Sequence, residues 1–279
     1  MHLARLPALR DATVIASFQG WNDAGDAAST ATAFIARAWS ATPFAEIDPE
    51  EFLDFTDNRP EVRIVEGETR EVMWPATVIS ACSPPGAPFD AVLIRGYEPQ
   101  LRWRTYSKMV VDVVKAVDAK QVITVGALLA EVAHTHPVPV VATATDRRLL
   151  DQHGFSKSRY EGPTGIVGVL HAALAEARIP SISLWASVPY YVPQMISAKA
   201  ALAIVARVEQ VLGLGIDTVE LGELASVYER EVDTLVAEDD DIAAYVARLQ
   251  EMGEAGGDDV VFHDLADEVE RYLRDQRHH

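Results

Sequence analysis

The chain has 279 residues, of which 49% are hydrophobic and 24% are charged, so it is long enough to bury a sizeable core. Its formal charge of −18 disfavours nucleic acid and anionic lipid as partners, and no apolar run reaches the roughly 18 residues of a membrane span. With a single cysteine and no apolar leader after Met1, the sequence predicts a cytoplasmic protein.

The strand candidates in the first two thirds of the chain are short runs rich in Val and Ile. Most of them are continuously apolar, as expected for strands that are buried on both faces. In chain order they are TVIASF (13–18), PATVISA (75–81), AVLIRG (91–96), QVITVGAL (121–128), VPVVATA (138–144) and SISLWAS (181–187). The stretch from 44 to 74 is less periodic and more charged, which indicates irregular hairpin structure.

Helical patterns alternate with these strands at 103–119, 165–177 and about 193–212. In the first pattern, Tyr106, Val110, Val113 and Val117 recur at helical spacing. Strands that alternate with helices favour parallel pairing and helices on both faces of the sheet. The sequence therefore predicts a mostly parallel, three-layer α/β/α sandwich.

The character of the chain changes after Gly213 and Gly215. Residues 220–237 and 241–252 have purely helical patterns, 253–259 has the composition of a flexible linker, and a last helix is predicted around Leu265 and Tyr272. We therefore divide the chain into an α/β sandwich domain (1–215) and an acidic helical C-terminal region (216–279). The second part carries a net charge of −14, from 19 Asp and Glu against 5 Arg. Its acidic surface is either a solvated helical face or a docking surface for a basic partner.

The first predicted strand leads through the tight turn Gly20-Trp21-Asn22-Asp23 into an alanine-rich helix. With Asp23 as the N-cap residue, Asp26 falls at the third helical position, which is the spacing of a capping box. We expect these two carboxylates to satisfy the free N–H groups of the helix, and their charge disfavours a phosphate at the same place. The alternative gives Trp21 and Asn22 a role in a partner or ligand surface.

A second turn, Gly162-Pro163-Thr164-Gly165, opens the helix pattern at 165–177 and is the anion-binding candidate. Its small residues leave backbone N–H groups approachable. It lacks the lysine of a phosphate-loop NTPase motif and the glycine spacing of a dinucleotide fingerprint. Close packing of the helix on the sheet is therefore the alternative to ligand binding.

His134 and His136 form a His-x-His pair, which an extended strand would direct to one side, as some metal sites require. No Asp, Glu or His elsewhere has recognisable ligand spacing, so neither a metal nor another cofactor is predicted, and the pair is expected in a polar loop or a subunit contact. Tyr190 and Tyr191 lie between two prolines and suit either a pocket rim or a protein contact. No nucleophile, base and orienting group can be assembled from the sequence, so no catalytic residue is assigned.

Five segments, taken in order, resemble the proteasome assembly chaperone 2 family and its actinobacterial members above all. They are GWNDAG from Gly20, IRGYEPQLRW from Ile94, TVGALLAEVAHTHPVPV from Thr124, EGPTGIVGVLH from Glu161 and WASVPYYV from Trp185. The resemblance covers roughly residues 10–250 and implies a sandwich similar to the phosphorylase/hydrolase-like fold of nucleoside phosphorylases. It also implies a role in proteasome assembly, proteasome subunits as partners, and a homo-oligomer, with a trimer as the expected state. The family has no agreed catalytic residues that could be carried over.

Two functions from different classes follow from these observations. The first is a non-enzymatic, self-associating protein-interaction module that binds a proteasome subunit or another partner. The second is a phosphorylase- or hydrolase-like enzyme that binds a small anionic or nucleoside-type ligand. Its site would lie where the carboxyl ends of the strands meet, and would combine the turn from Gly162 to Gly165 with His134 and Tyr190.

Overall fold

The computed structural model describes residues 2–3, 6–65, 69–155 and 162–255. Its strands are β1 (His2–Leu3), β2 (Thr13–Gln19), β3 (Thr42–Ile47), β4 (Glu61–Val65), β5 (Thr69–Met73), β6 (Thr77–Cys82), β7 (Ala91–Tyr97), β8 (Gln121–Ala130), β9 (Val140–Ala144) and β10 (Ser181–Pro189). Eight of them form one sheet in the order β1-β3-β6-β7-β2-β8-β10-β9, and β4 pairs with β5 in a separate hairpin. Because the edge strand β1 has only two residues, seven strands carry the sheet.

The sheet is mixed rather than mostly parallel, which corrects the prediction. Parallel pairs join β7 to β2, β2 to β8 and β8 to β10 at its centre. Towards the edges, β1, β3, β6 and β7 pair antiparallel in succession, and β9 pairs antiparallel with β10. Only residues 83–90 join β6 to β7, which is too short for the crossover that a parallel pair needs.

Helices cover both faces of this sheet. The described part of the chain contains α1 (Ala27–Ala38), α2 (Trp103–Ala116), α3 (Arg147–His153), α4 (Ile166–Glu176), α5 (Ala198–Leu212), α6 (Val219–Ala237) and α7 (Asp240–Ala255). From β2, Ile15 packs into the core that α1, α5 and α6 share, whereas Val14 and Ala16 pack into the core formed with α2 and α4. Burial on both faces explains the continuous apolar run of β2. The predicted α/β protein with further C-terminal helices is thus confirmed.

The carboxyl ends of β2, β7, β8 and β10 lie at one edge of the sheet, here called the carboxyl edge. Strand β3 also ends there, because Ile47 pairs with Thr77 at the start of β6, and Val78 pairs with Arg95 near the end of β7. Residues 48–76, which contain the β4–β5 hairpin, therefore extend from the carboxyl edge. Within the predicted hairpin stretch, residues 44–47 instead belong to β3.

The C-terminal helices pack against the rest of the molecule. Helix α6 buries Leu221 and Val232 in the core that it shares with α5, and α7 buries Val246. The helix predicted around Leu265 and Tyr272 lies outside the described residues. Among the helices that are described, none is both long enough and apolar enough to span a bilayer.

Candidate functional site

The opening turn joins β2 to α1 at the carboxyl edge. Gly20 has a φ of +114°, a conformation that L side chains rarely adopt. The side chain of Trp21 is exposed, whereas Asn22 is fully buried. The carbonyl oxygen of Asn22 accepts a hydrogen bond of 2.8 Å from the N–H of Ala127 in β8. The turn is therefore fixed to the sheet and leaves the indole at the surface.

The carboxylate of Asp23 holds the N-terminus of α1. Its Oδ1 accepts hydrogen bonds from the backbone N–H groups of Ala28, at 2.6 Å, and Ser29, at 3.2 Å. Burial raises the pKa of Asp23 to about 6, although hydrogen bonds from Ser29 and Ala28 lower it. Asp26 departs from the prediction. A short 3-10 helix over Ala24–Asp26 delays the start of α1 to Ala27, so Asp26 is itself the N-cap residue and forms no side-chain cap bond.

Glu98, just after β7, fills the position that was predicted for an anion. Its Oε1 accepts a hydrogen bond of 2.7 Å from the backbone N–H of Ile166, the first residue of α4, and another of 2.7 Å from Nδ2 of Asn22. A carboxylate thus occupies the positive end of the α4 dipole. We call Asn22, Glu98, Gly165 and Ile166 the Asn22–Glu98 cluster. A free anion could bind at the N-terminus of α4 only by displacing Glu98 or by binding next to its negative charge.

Gly165 is required by the same cluster. A Cβ atom at this position would lie 2.2 Å from Oδ1 of Asn22 and 2.6 Å from Oε1 of Glu98, so any other residue would force these side chains to move. The Oδ1 atom of Asn22 is buried and has no hydrogen-bond partner, which leaves a polar atom unsatisfied beside Gly165. The other turn residues, Gly162, Pro163 and Thr164, are exposed. At this turn, the structure therefore shows close packing around Gly165.

His134 lies in a second cluster, after β8, with Tyr191 after β10. The Oη of Tyr191 accepts a hydrogen bond of 2.8 Å from the backbone N–H of His134 and lies 2.6 Å from Nδ1 of the same residue. Nε2 of His134 lies 2.9 Å from Oδ1 of Asp233 in α6. A ring proton on Nε2 satisfies this pattern, because Tyr191 then donates to Nδ1 and Nε2 donates to Asp233. Burial raises the pKa of Tyr191 to about 12, so its hydroxyl keeps this proton at neutral pH.

Helices α5, α6 and α7 close over this His134–Tyr191 cluster, which comprises His134, Tyr191 and Asp233. Nζ of Lys199 in α5 donates to the carbonyl oxygen of His134 at 2.5 Å and also forms an ion pair with Glu229 of α6. The ring of Tyr191 meets the ring of Tyr245 in α7 edge to face, with centroids 6.1 Å apart. The polar groups of His134 are thus used to bind the protein's own helices.

The space beside His134 is small. A cavity there, lined by His134, Ser197 and Tyr228 among others, has a volume of about 10 Å³, which is room for about one water. Pockets for small-molecule ligands have volumes of roughly 300–1,000 Å³. Tyr190, next to Tyr191 in sequence, is exposed instead of lining this cavity.

The predicted site residues therefore fall into two groups along the carboxyl edge. Asn22 and Gly165 meet between β2, β7 and α4, whereas His134 and Tyr191 meet between β8, β10 and α6. Sequence reasoning missed Glu98 and Asp233. Glu98 stands within the quoted segment IRGYEPQLRW, directly after an apolar strand, and an acidic side chain at that point was the available signal. Across the described ranges, no group of three or more His, Cys, Asp or Glu side chains is placed to hold a metal ion.

The fold is that of an α/β protein. At its carboxyl edge, Glu98 binds the N-terminus of α4 and Asp233 of the C-terminal helix α6 binds His134. The sequence profile of the PAC2 family matches residues 17–236, well over half of the chain. The chain therefore belongs to the PAC2 family, and the resemblance to the proteasome assembly chaperone 2 family is confirmed.

Solved structures similar to this chain agree with that membership. The proteasome-assembly chaperone homologue of Mycobacterium tuberculosis is 45% identical, covers 84% of this chain and 99% of its own, and superposes with a TM-score of 0.77. A PAC2 family protein from Streptomyces avermitilis is 41% identical, covers 85% of this chain and 100% of its own, and has a TM-score of 0.79. An archaeal proteasome activator from Pyrococcus furiosus, 20% identical over 84% of this chain and 97% of its own with a TM-score of 0.68, shows the fold alone. No protein of curated function matches significantly.

Proposed function

We propose that this chain is a non-enzymatic, self-associating protein-interaction module that binds proteasome subunits in the cytoplasm. The observation that carries the proposal is its membership of the PAC2 family together with 45% identity to a proteasome-assembly chaperone homologue. The geometry supports it, because the polar groups predicted for a ligand hold Glu98 to α4 and His134 to α6. A homo-oligomer, with a trimer as the expected state, is part of the proposal.

The finer description of the fold belongs to the same proposal. Two helix-covered faces support a three-layer sandwich similar to the phosphorylase/hydrolase-like fold. The division into 1–215 and 216–279 stays a prediction. It separates the sheet and its flanking helices from α6 and α7, which carry 9 Asp and Glu against 2 Arg.

The phosphorylase- or hydrolase-like enzyme is the weaker alternative. The carboxylate of Glu98 at the N-terminus of α4 opposes an incoming anion, while the buried, unpaired Oδ1 of Asn22 in the same cluster favours a polar ligand. A ligand at one hundred times its Kd would stabilise the fold by about 2.7 kcal/mol. We expect phosphate and nucleosides to leave the melting temperature unchanged, and a clear rise with any of them would favour the enzyme.

Affinity purification of the tagged chain from its native cytoplasm, followed by quantitative mass spectrometry, tests the proposed function. We expect α-type or β-type proteasome subunits to co-elute in near-stoichiometric amounts. A tagged, unrelated acidic protein of similar charge controls for capture by electrostatics alone. Recovery of the bait without proteasome subunits would remove the proteasome from the proposal.

A further inference from the structure

The β4–β5 hairpin carries an apolar face that its own protomer leaves open. The strand register pairs Val62 with Val72 and Ile64 with Arg70, so these four side chains share one face. Val62 is 60% exposed, Ile64 67% and Val72 50%. We call this surface, formed by Val62, Ile64, Arg70 and Val72, the hairpin face.

The other face of the same hairpin carries charged side chains beside Met73. There Arg63 pairs with Glu71, and Glu61 pairs with Met73. Alternation of this kind is typical of a strand with one packed and one solvated face. A two-stranded hairpin alone is marginally stable in water and needs packing against its apolar face. The hairpin face therefore has the pattern of a surface that a second polypeptide covers.

A second open surface runs along α6. Leu224, Val227 and Leu235 are exposed and, together with Glu231, recur at helical spacing on one side of the helix. Helix α6 contains five Asp and Glu against one Arg. We call Leu224, Val227, Glu231 and Leu235 the α6 stripe.

The two surfaces are complementary in both polarity and charge. Each combines three apolar side chains with one charged residue, which is Arg70 on the hairpin face and Glu231 on the α6 stripe. Contact between two hairpin faces, or between two stripes, would bring like charges together. Within one protomer the hairpin leads into β6, whereas α6 packs on α5. Helix α5 contacts β10, and three strands, β7, β2 and β8, lie between β6 and β10 in the sheet.

We propose that the hairpin face of one protomer docks on the α6 stripe of a second copy of this chain. Such a head-to-tail contact uses two different surfaces of each protomer and produces a closed ring when the rotation between copies permits it. This inference rests on the self-association part of the proposed function and names its interface. It gives the α6 stripe an apolar partner surface on the same protein, with Arg70 placed to meet Glu231.

The test compares matched variants by light scattering after size-exclusion chromatography and by sedimentation velocity, at one micromolar-range concentration. On the hairpin, Val72→Gln changes the hairpin face, while Met73→Gln makes the same change on the opposite face of the same strand. On α6, Leu224→Gln changes the stripe. Val219→Gln is its control, because Val219 is exposed and lies about 140° from Leu224 around the axis of the same helix.

We expect Val72→Gln and Leu224→Gln to weaken self-association about tenfold or more, as loss of a central apolar contact does. Both control variants should keep the mass of the parent protein. Arg70→Glu and Glu231→Arg should each weaken the oligomer, and their combination should restore it. If circular dichroism shows that an apolar variant does not fold, the variants Arg70→Glu and Glu231→Arg still test the interface.

An oligomer whose mass is unchanged by Val72→Gln or by Leu224→Gln would overturn the interface but leave self-association intact. The interface would also be overturned if the double variant with Arg70→Glu and Glu231→Arg did not recover the self-association that each single variant loses. A monomeric parent protein would overturn the interface together with self-association. Binding to the proteasome is decided separately by affinity purification, so the two failures are distinguishable.

Discussion

At the scale of single residues, Asp23 has an unusual electrostatic position. Its carboxylate caps α1 and is almost fully buried, and burial raises its pKa from 3.8 to about 6. A raised pKa in the folded state means that the stabilising contribution is complete below the unfolded pKa and is lost as the pH rises through the folded pKa. The contribution of Asp23 to stability is therefore lost between about pH 4 and pH 6.

Replacement of Asp23 by Asn tests this pH dependence. Asn keeps an oxygen that can accept from Ala28 but does not ionise. We expect the stability of Asp23→Asn relative to the parent protein to increase by up to about 3 kcal/mol from pH 4 to pH 7, measured by urea unfolding. Asp23→Ala loses both cap bonds and should be less stable than Asp23→Asn by roughly 0.5–2 kcal/mol at pH 7. Parallel pH profiles for the parent and Asp23→Asn would contradict the burial argument.

Gly165 permits a second prediction at this scale. Gly165→Ala forces a Cβ against Asn22 and Glu98, so we expect it to lower the free energy of unfolding by about 1–3 kcal/mol. Gly222→Ala is the matched control. Beyond the local backbone of α6, no described atom lies within 4 Å of its new Cβ, and alanine favours a helix interior, so this change should stabilise the protein by about 0.5–1 kcal/mol. Equal effects of the two substitutions in thermal melts would contradict the close packing at Gly165.

At the scale of elements, the link between the β8–β9 loop and α6 depends on Tyr191. Tyr191→Phe removes the hydroxyl that serves the backbone N–H and Nδ1 of His134, both of which then lack a partner. We expect a loss of about 1–3 kcal/mol in the free energy of unfolding. Hydrogen exchange should also accelerate in α6, because His134 is its contact to this loop through Asp233. Tyr190→Phe, at the exposed neighbouring residue, should change neither quantity.

The helices and strands also show which features of the fold can be predicted from local sequence. Continuous apolar runs predicted β2, β7, β8 and β10, because these strands are buried on both faces. Pairing direction was mispredicted where short connections impose antiparallel neighbours, as between β6 and β7. Capping at Asp26 was mispredicted because a single 3-10 turn delays the start of α1.

The candidate site was less predictable than the fold because its contacts are long-range. Asn22 meets Glu98 across 76 positions, and His134 meets Asp233 across 99. No local spacing connects such pairs. The local patterns at Gly162–Gly165 and at His134 predicted ligand or partner candidates, but the groups that contact Gly165 and His134 come from distant parts of the chain.

At the scale of the whole molecule, the formal charge of −18 opposes the compact state through self-repulsion. Salt screens this repulsion. Between 10 and about 200 mM NaCl at a fixed protein concentration, we expect Tm to rise by about 2–4 °C, the shift that about 1 kcal/mol produces in a chain of this size. A variant with Asp240→Asn and Asp241→Asn should show a smaller rise in calorimetry. A Tm that falls with salt would mean that ion pairs such as Arg37–Glu220 outweigh the repulsion.

The packing of α6 on α5 has a consequence for how the chain folds as it is made. When residues 1–215 have emerged from the ribosome, the side of α5 that receives Leu221 and Val232 is still uncovered. At a synthesis rate of about 5–20 residues per second, that apolar surface waits on the order of a second or longer for its cover. Helix α6 then completes the core as an intramolecular partner, so each newly made protomer passes through a brief stage in which its core still depends on a segment that is made later.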